Sequence, residues 1–357
     1  MVSDTLTPVP ARPGGGRTTL VVAILAVALV ALAVISAGTG QLHVPPMEVL
    51  GSIARRFGLE IGPAPTHPNG DDALWNIRFP RVFMAIVIGA ALAVAGLLMQ
   101  AIFGNPLAEP GVVGVSGGAA LGASATIVFG WSFFGEWTIA VTAFIAGLAA
   151  TLLVYFMSRA AGRTEVVTLV LTGIAVNAFT GAGLAFLTFL GDTAAREQIV
   201  FWQLGSLNGS RWQQLAIIAP VIAVSIVFAF FVARTLDLLS LGEKSARHLG
   251  VNVERLRIVV IVVVALLVAA AVAFAGIIAF VGLVIPHLMR MLIGPAHLPL
   301  MLASTLGGAT LLLAADLVAR TAIPMADLPI GMLTSLVGGP FFFWLLRRAR
   351  KRAGGWG

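Results

Sequence analysis

An all-α polytopic membrane protein of about ten transmembrane helices is the fold that three observations predict. Of the 357 residues, 59% are hydrophobic and only 10% charged, against roughly 25% charged in an average soluble domain. The mean hydropathy is +1.01. The apolar residues fall in runs of about the 20 needed to carry a helix across a bilayer core, and short polar connections between the runs hold most of the charges.

Read in order, the spans cover 20–37, 82–103, 111–134, 137–158, 166–190, 213–233, 258–274, 276–293, 300–318 and 330–346. Residues 1–19 form an N-terminal tail, 20–346 the membrane domain and 347–357 a basic tail. The first run follows Arg12 and Arg17 and ends in small residues at Ser36 and Ala37, the pattern of a signal peptide. Its length, and the membrane chain behind it, favour a retained helix. The second run is apolar up to Met99 and Gln100. The third carries a stripe of Gly114, Gly117, Gly118 and Gly122, which lets a neighbouring helix approach closely. The fifth has Asn177 at its middle, and the eighth is interrupted by Pro286, next to His287. A proline inside a span frees a carbonyl and bends the helix, a break tolerated where protein or a water-filled cavity covers the backbone. Pro106 and Pro110 flank the start of the third span in the same way, so the two breaks are candidates for lining a route through the membrane. Spans two to five and seven to ten place these breaks at matching positions with opposite orientation, an inverted repeat.

Lysine and arginine placement orients the chain. Arg159, Arg163, the stretch from Arg234 to Arg257, Arg290 and the tail from Arg347 to Arg352 share one side when ten spans are threaded alternately. That side is the cytoplasm, with both termini in it. Arg55, Arg56, Arg78, Arg81, Arg196, Arg211 and Arg320 fall outside and need another explanation, such as a docking surface for an acidic partner. The net charge of +7 does not point to nucleic acid, because basic and aromatic residues are not interleaved on a polar surface. The chain has no cysteine, which excludes disulfides and thiolate metal sites, and no metal site is predicted.

Between the sixth and seventh spans lies a polar island, Ser240-Leu241-Gly242-Glu243 through Ala246-Arg247 to Leu249-Gly250. Ser240 is placed to cap a short helix with Glu243 reaching back. Glu243 and Arg247 form an i,i+4 pair, and Gly250 is the stop. Gly242, Ala246 and Leu249 would share a low-relief face open to another protein; the plainer reading is a solvated connecting helix. The span interiors carry almost no charge, with Glu109, His287, Arg290 and Asp316 toward span ends. An ion-coupled carrier would bury carboxylates near the midplane, so the driving force is expected to come from outside the chain. No span carries a His-Glu-x-x-His or paired-aspartate constellation for intramembrane catalysis, and no phosphate-binding Gly-x-x-x-x-Gly-Lys-Ser/Thr loop is present. Gln100 and Asn177 are candidates to face a pathway or to hydrogen-bond between helices.

Seven blocks then occur in order: Arg78-Phe-Pro-Arg81; Gly89 through Gln100; Asn105-Pro-Leu-Ala-Glu-Pro110 with Gly114-Val-Ser-Gly-Gly-Ala119; Ser240 to Gly250; Phe280-Val-Gly-Leu-Val-Ile-Pro-His287 with Arg290; Ala315-Asp-Leu-Val-Ala-Arg320; and Leu328-Pro-Ile-Gly331 with Gly339-Pro-Phe-Phe342. Together, over about residues 45–348, they resemble the FecCD permeases, the membrane subunits of binding-protein-dependent ABC importers for iron chelates, heme and cobalamin. The resemblance implies a ten-helix type II importer permease in the bacterial cytoplasmic membrane, which pairs with a second copy around a pathway at their interface. It implies two ATPase subunits, holding ATP and magnesium, seated against coupling helices at 238–257. An extracytoplasmic substrate-binding protein would dock on Arg78, Arg81 and Arg320. Transport would run by alternating access, with membrane lipid as a further partner and no cofactor held permanently.

The stretch from Arg196 to Gly209, with Phe201-Trp202 and Gly205-Ser206-Leu207, is similar to the pattern common in heme permeases of the family, although siderophore members often share the tryptophan and the Gly-Ser-Leu; heme is favoured, with ferric siderophore next and cobalamin last. Met99, Gln100, Asn105, Asn177, Pro286, His287 and Met332 are the pathway candidates. His287, Met99 and Met332 make poor axial ligands, since a span-end histidine is usually hydrogen-bonded and a span methionine usually packs. The proline-rich region 55–72 reads as a long external loop without an assigned role.

Overall fold

The computed structural model describes residues 15–160 and 163–352; most of the predicted N-terminal tail and the end of the basic tail lie outside the described residues. Seven described helices are long and apolar enough to cross a membrane, and three shorter apolar helices bring the number to the ten expected.

Helix α1 (Gly15–Gly38) leads to α2 (Pro46–Arg56), a short amphipathic helix absent from the span reading because it is neither long nor apolar enough. Pro46 starts it, Glu48 lies in its first turn and Arg55 and Arg56 in its last, so the charges oppose the helix dipole. The amide and hydroxyl of Thr66 bond both oxygens of Glu48, with the amide at 3.0 Å. The hydroxyl above all, and the amide with it, hold that carboxyl below its usual range. The proline-rich loop is thereby folded back onto α2.

Helix α3 (Gly70–Ala73) passes through a π turn at Leu74–Arg78 into α4 (Phe79–Phe103). Pro80 has no amide to donate, and the helix widens so that Phe79 bonds the carbonyl of Leu74. Gly104, at φ 58°, ends α4. The third span is shorter than predicted. A single 3₁₀ turn, Pro110–Val113, precedes α5 (Val115–Phe129), whose 15 residues rise only about 22 Å. Next come α6 (Thr138–Met157), a two-residue antiparallel ladder pairing Arg159–Ala160 with Arg163–Thr164, and α7 (Val166–Leu190). A second unpredicted helix, α8 (Thr193–Leu204), is capped by Asp192, which accepts from the amide of Ala195 at 2.8 Å.

Helix α9 (Trp212–Leu239) is followed by the six-residue α10 (Glu243–His248) and by α11 (Val253–Ala275). The eighth span is also shorter than predicted: residues 276–280 are not helical, and α12 (Val281–Ile293) has 13 residues. Helices α13 (His297–Thr321) and α14 (Ile330–Arg352) complete the chain. Trp75, Phe79, Phe83 and Trp212 cluster at the end predicted to be external, with Trp75 and Phe79 ring centroids 4.7 Å apart, as membrane-interface aromatics do.

Packing supports the inverted repeat and adds an exchange. Helix α4 begins the first repeat, yet it packs on α12 and α13 of the second; α11 begins the second and packs on α5 and α6 of the first. These two are the most buried spans, at 83% and 72% of their most apolar windows. Bare backbone permits the crossings. A Cβ on Gly89 would collide with the carbonyl of Gly308, and one on Gly96 with the backbone of Gly282.

Candidate functional site

Three layers along the bundle carry the polar chemistry. At the end predicted to be external, Arg78, Arg81 and Arg320 converge on one cavity of about 460 Å³, together with Asn208 and Asp327. They are not the open surface charges that a docking role suggested. Arg78 is buried and donates to the carbonyls of Ala37 (2.8 Å), Gly38 (3.1 Å) and Leu42. Arg320 donates to the carbonyls of Ser36 and Thr39 and to the Ser36 hydroxyl. The two guanidiniums thus cap the last carbonyls of α1, the negative end of its dipole. Arg81 bridges Asp316 and Asp327, each at 2.8 Å, and Asp316 also lies 3.5 Å from Arg320. The external arginines that break the charge rule are held by internal partners; Asp327, 31% exposed, is the most open group in this network.

In the middle layer the two broken spans meet. Pro286 has no amide for the carbonyl four residues before it, which is that of Gly282. Gln100 supplies the missing donor: its Nε2 lies 3.3 Å from the carbonyls of Gly282 and Leu283, and its Oε1 accepts from Arg290 at 2.9 Å. Asn177 does the same for the other break, donating to the carbonyl of Gly111 at 3.0 Å. Both amides, candidates for a pathway, are therefore interhelical patches. Glu109, expected toward a span end, is carried inward as residues 104–114 fold back. Its carboxylate accepts from the amide of Phe280 at 3.4 Å, beside the start of α12, where Gly282 packs on Leu92 and Gly96 of α4. Those residues lie 7 to 11 positions before the end of α4, roughly 10–16 Å along it. The carboxylate thus sits beside two helix starts, the 3₁₀ turn at Pro110 and α12, whose positive ends favour an anion.

Of the remaining pathway candidates, Met99 is fully buried in the core and Pro286 is buried, while His287 is half-buried on α12. Asn105 and Met332 are exposed. The Asn105 side chain accepts from the amide of Leu107 at 2.9 Å and shapes its own turn.

At the opposite end, the island takes a different form from the one expected. Ser240 does not cap α10; its hydroxyl donates to the carbonyl of Asp237 and closes α9. Gly242, at φ 99°, precedes α10 instead, and the glycine conformation leaves no side chain to cap with. Glu243 reaches Arg247 at 3.5 Å, as predicted, but also pairs with the buried Arg257 of α11. Gly250, at φ 84°, ends the helix. Ala246 is 0% exposed and packs inward, so it cannot form the outer face; Leu241 and Leu249, at 62% and 57%, do.

Four residues that were not among the individual candidates fasten this layer. Arg257 donates to the carbonyl of Thr164 at 2.9 Å. Glu254 accepts from the amide (2.9 Å) and hydroxyl (2.6 Å) of Thr164. Asp237 accepts from the amide (2.9 Å) of His297 and lies 2.7 Å from its Nδ1. For Asp237, Glu254 and Arg257 the sequence signal was their position in the charged stretch from Arg234 to Arg257, and His297 carried none.

Comparison with known proteins is consistent with this geometry. Residues 25–348 match the model of the FecCD transport family. The hemin transport system permease protein HmuU of Yersinia pestis is 42% identical over 292 residues, covering 80% of this chain and 87% of its own. The vitamin B12 import system permease protein BtuC of Vibrio cholerae is 40% identical over 277 residues, covering 77% and 82%. A solved inward-facing structure of a metal-chelate type ABC transporter is 34% identical, superposes with a TM-score of 0.81, and covers 92% of this chain and 99% of that one.

The patch at Pro286 makes a measurable demand. Gln100→Leu leaves two buried carbonyls and Arg290 without their partner, a loss of about 1–3 kcal/mol, whereas Met99→Leu conserves volume and costs less than about 1.5 kcal/mol. Thermal unfolding of the detergent-purified permease should therefore fall well below wild type for Gln100→Leu only. Equal stability of the two variants would remove the patch role.

Proposed function

Because the chain belongs to the FecCD transport family, and so is the membrane permease subunit of an ABC importer rather than an enzyme, we propose that its cargo is heme or a related iron chelate. The observation that carries this reading is the 42% identity to a hemin permease along most of both chains. The exposed apolar residues of α7 and α14, among them Phe179, Phe186, Phe189, Leu336 and Val337, suit a flat hydrophobic macrocycle passing between two copies. The Gly205-Ser206-Leu207 part of the heme-like stretch carries less weight. The Gly205 carbonyl accepts from Ile330 at 3.0 Å and the Ser206 amide donates to Ala275 at 2.8 Å, so the backbone of this segment is a packing junction; the side chains of Phe201 and Ser206 are exposed. Cobalamin is the second reading, supported by the 40% identity to a vitamin B12 permease, and a ferric siderophore is the third.

In this reading two ATPase subunits bind ATP and magnesium and sit against α10, in the cytoplasm with both termini. Hydrolysis moves α10, and the Glu243–Arg257–Thr164 tie passes that motion to α11 and the start of α7. A loaded binding protein docks over the external cavity, where three guanidiniums face two carboxylates and leave positive charge for an acidic partner. The meeting of the segment before α5, at Glu109 and Pro110, with the start of α12 near mid-depth is the joint about which access alternates.

Three outcomes test it. The partner binding protein, offered heme, ferric siderophores and cobalamin, should bind heme at least tenfold more tightly, and tighter cobalamin binding would make the second reading the first. Arg81→Glu should weaken capture of that protein by the permease in a salt-sensitive manner; unchanged affinity at low salt would remove the docking role. Leu249→Asp should abolish substrate-stimulated ATP hydrolysis in the reconstituted complex without loss of permease stability. Ala246→Asp should destabilise the permease itself. Full stimulation with Leu249→Asp would show that α10 does not couple.

A further inference from the structure

A cavity of about 510 Å³ opens at the α10 end of the bundle. Its apolar wall includes Phe103, Val166 and Leu239, and its polar wall includes Arg257, Arg290 and Glu243. The charges do not balance. Glu243 is the one carboxylate in the lining, and it is already shared between Arg247 and Arg257. Arg290 has no carboxylate partner among the described residues; its one hydrogen bond there is to Gln100. Arg257 is 5% exposed, and although its Nη atoms are engaged, its buried Nε has no partner. His297 also lines the space, with its Nδ1 turned to Asp237.

A guanidinium removed from water needs a counter-charge and acceptors, or its burial costs several kcal/mol. Here two guanidiniums share a cavity whose lining also holds the apolar side chains of Phe103, Val166 and Leu239. Phosphate oxygens match the arginine fork, and basic pockets between helices at the membrane edge hold anionic lipid head groups. Free inorganic phosphate would satisfy the arginines and leave Phe103, Val166 and Leu239 bare; a phospholipid satisfies both walls.

We propose that this cavity is a phosphate-binding site, filled by the head group of an anionic phospholipid, with Arg290 as its main anchor and Arg257 as a second positive charge beside it. The site is independent of which cargo the permease carries. It places a lipid against Glu243 and Arg257, the residues that join α10 to α11, so the composition of the adjoining leaflet acts directly on the segment between them.

Native mass spectrometry of the full-length permease, offered phosphatidylglycerol and phosphatidylcholine together, tests the site. Phosphatidylglycerol should be retained about fivefold over phosphatidylcholine, the preference expected of one arginine near a membrane surface. Arg290→Lys should keep most of that preference and Arg290→Gln should lose it. Val166→Trp fills the cavity while leaving both arginines in place, and it should also lose the preference; it carries the test if Arg290→Gln does not fold. Displacement of the lipid by millimolar inorganic phosphate would support the anion site and assign its source to free phosphate. Equal retention of the two lipids, or a preference unchanged in Val166→Trp, would overturn the proposal.

Discussion

A carbonyl set free inside a bilayer has no water to turn to, and the middle of this molecule is arranged around that fact. Pro286 releases the carbonyl of Gly282, and the non-helical stretches before α5 and α12 release others. Lipid cannot repay them, so protein must. Gln100 reaches across from α4, which comes close enough because Gly96 has no side chain. Asn177 reaches across from α7 to Gly111. The two half-helices can start at mid-depth only because a neighbour brings a side-chain amide to each break. Glu109, accepting from the amide of Phe280, then joins one break to the other. A membrane forbids an unpartnered interruption, and Gln100, Asn177 and Glu109 supply the partners.

The external arginines follow the same logic at the membrane edge. Counted as charges, Arg78 and Arg320 contradict the orientation of the chain. Placed in the fold, they serve the carbonyl end of α1, whose last turn has no following helix to pair with. Their positive charge is stabilised by the helix dipole, while Asp316, fully buried in α13, neutralises part of what remains. Arg81 and Asp327 complete the network, so the loop before α14 is tied to α4 through a single guanidinium. A partner that offered Arg81 another carboxylate would compete with Asp327 for it.

What could be read from the sequence follows how local the responsible physics is. The ten spans and their order are legible because apolar length is a property of each segment alone. The breaks at Pro110 and Pro286 are legible because proline acts on its own helix. The repair of those breaks is not: Gln100 and Asn177 looked equally fit for a pathway, and only the three-dimensional neighbour decides. The same holds for Ala246. Helical spacing placed it with Gly242 and Leu249, but the turn at Gly242 rolls α10 so that Ala246 faces the bundle and Leu241 and Leu249 face outward. Ser240 fitted a capping pattern whose helix starts two residues later than the pattern required. The helices α2 and α8 escaped because a search for membrane spans discards short amphipathic segments.

The exchange of α4 and α11 between the repeats has a consequence for how the protein is made. Gln100 waits for a carbonyl 182 residues further along the chain, and Gly89 waits for Gly308. At roughly 5–20 residues per second of synthesis, the wait lasts about 10–40 seconds. Through that interval α4 has α9 and then α11 beside it, but the face that meets α12 and α13 is still uncovered. The halves cannot ripen one after the other as independent domains. The first becomes complete only when the second arrives, so truncation before α12 leaves Gln100 and Gly89 of α4 without the partners they meet in α12 and α13.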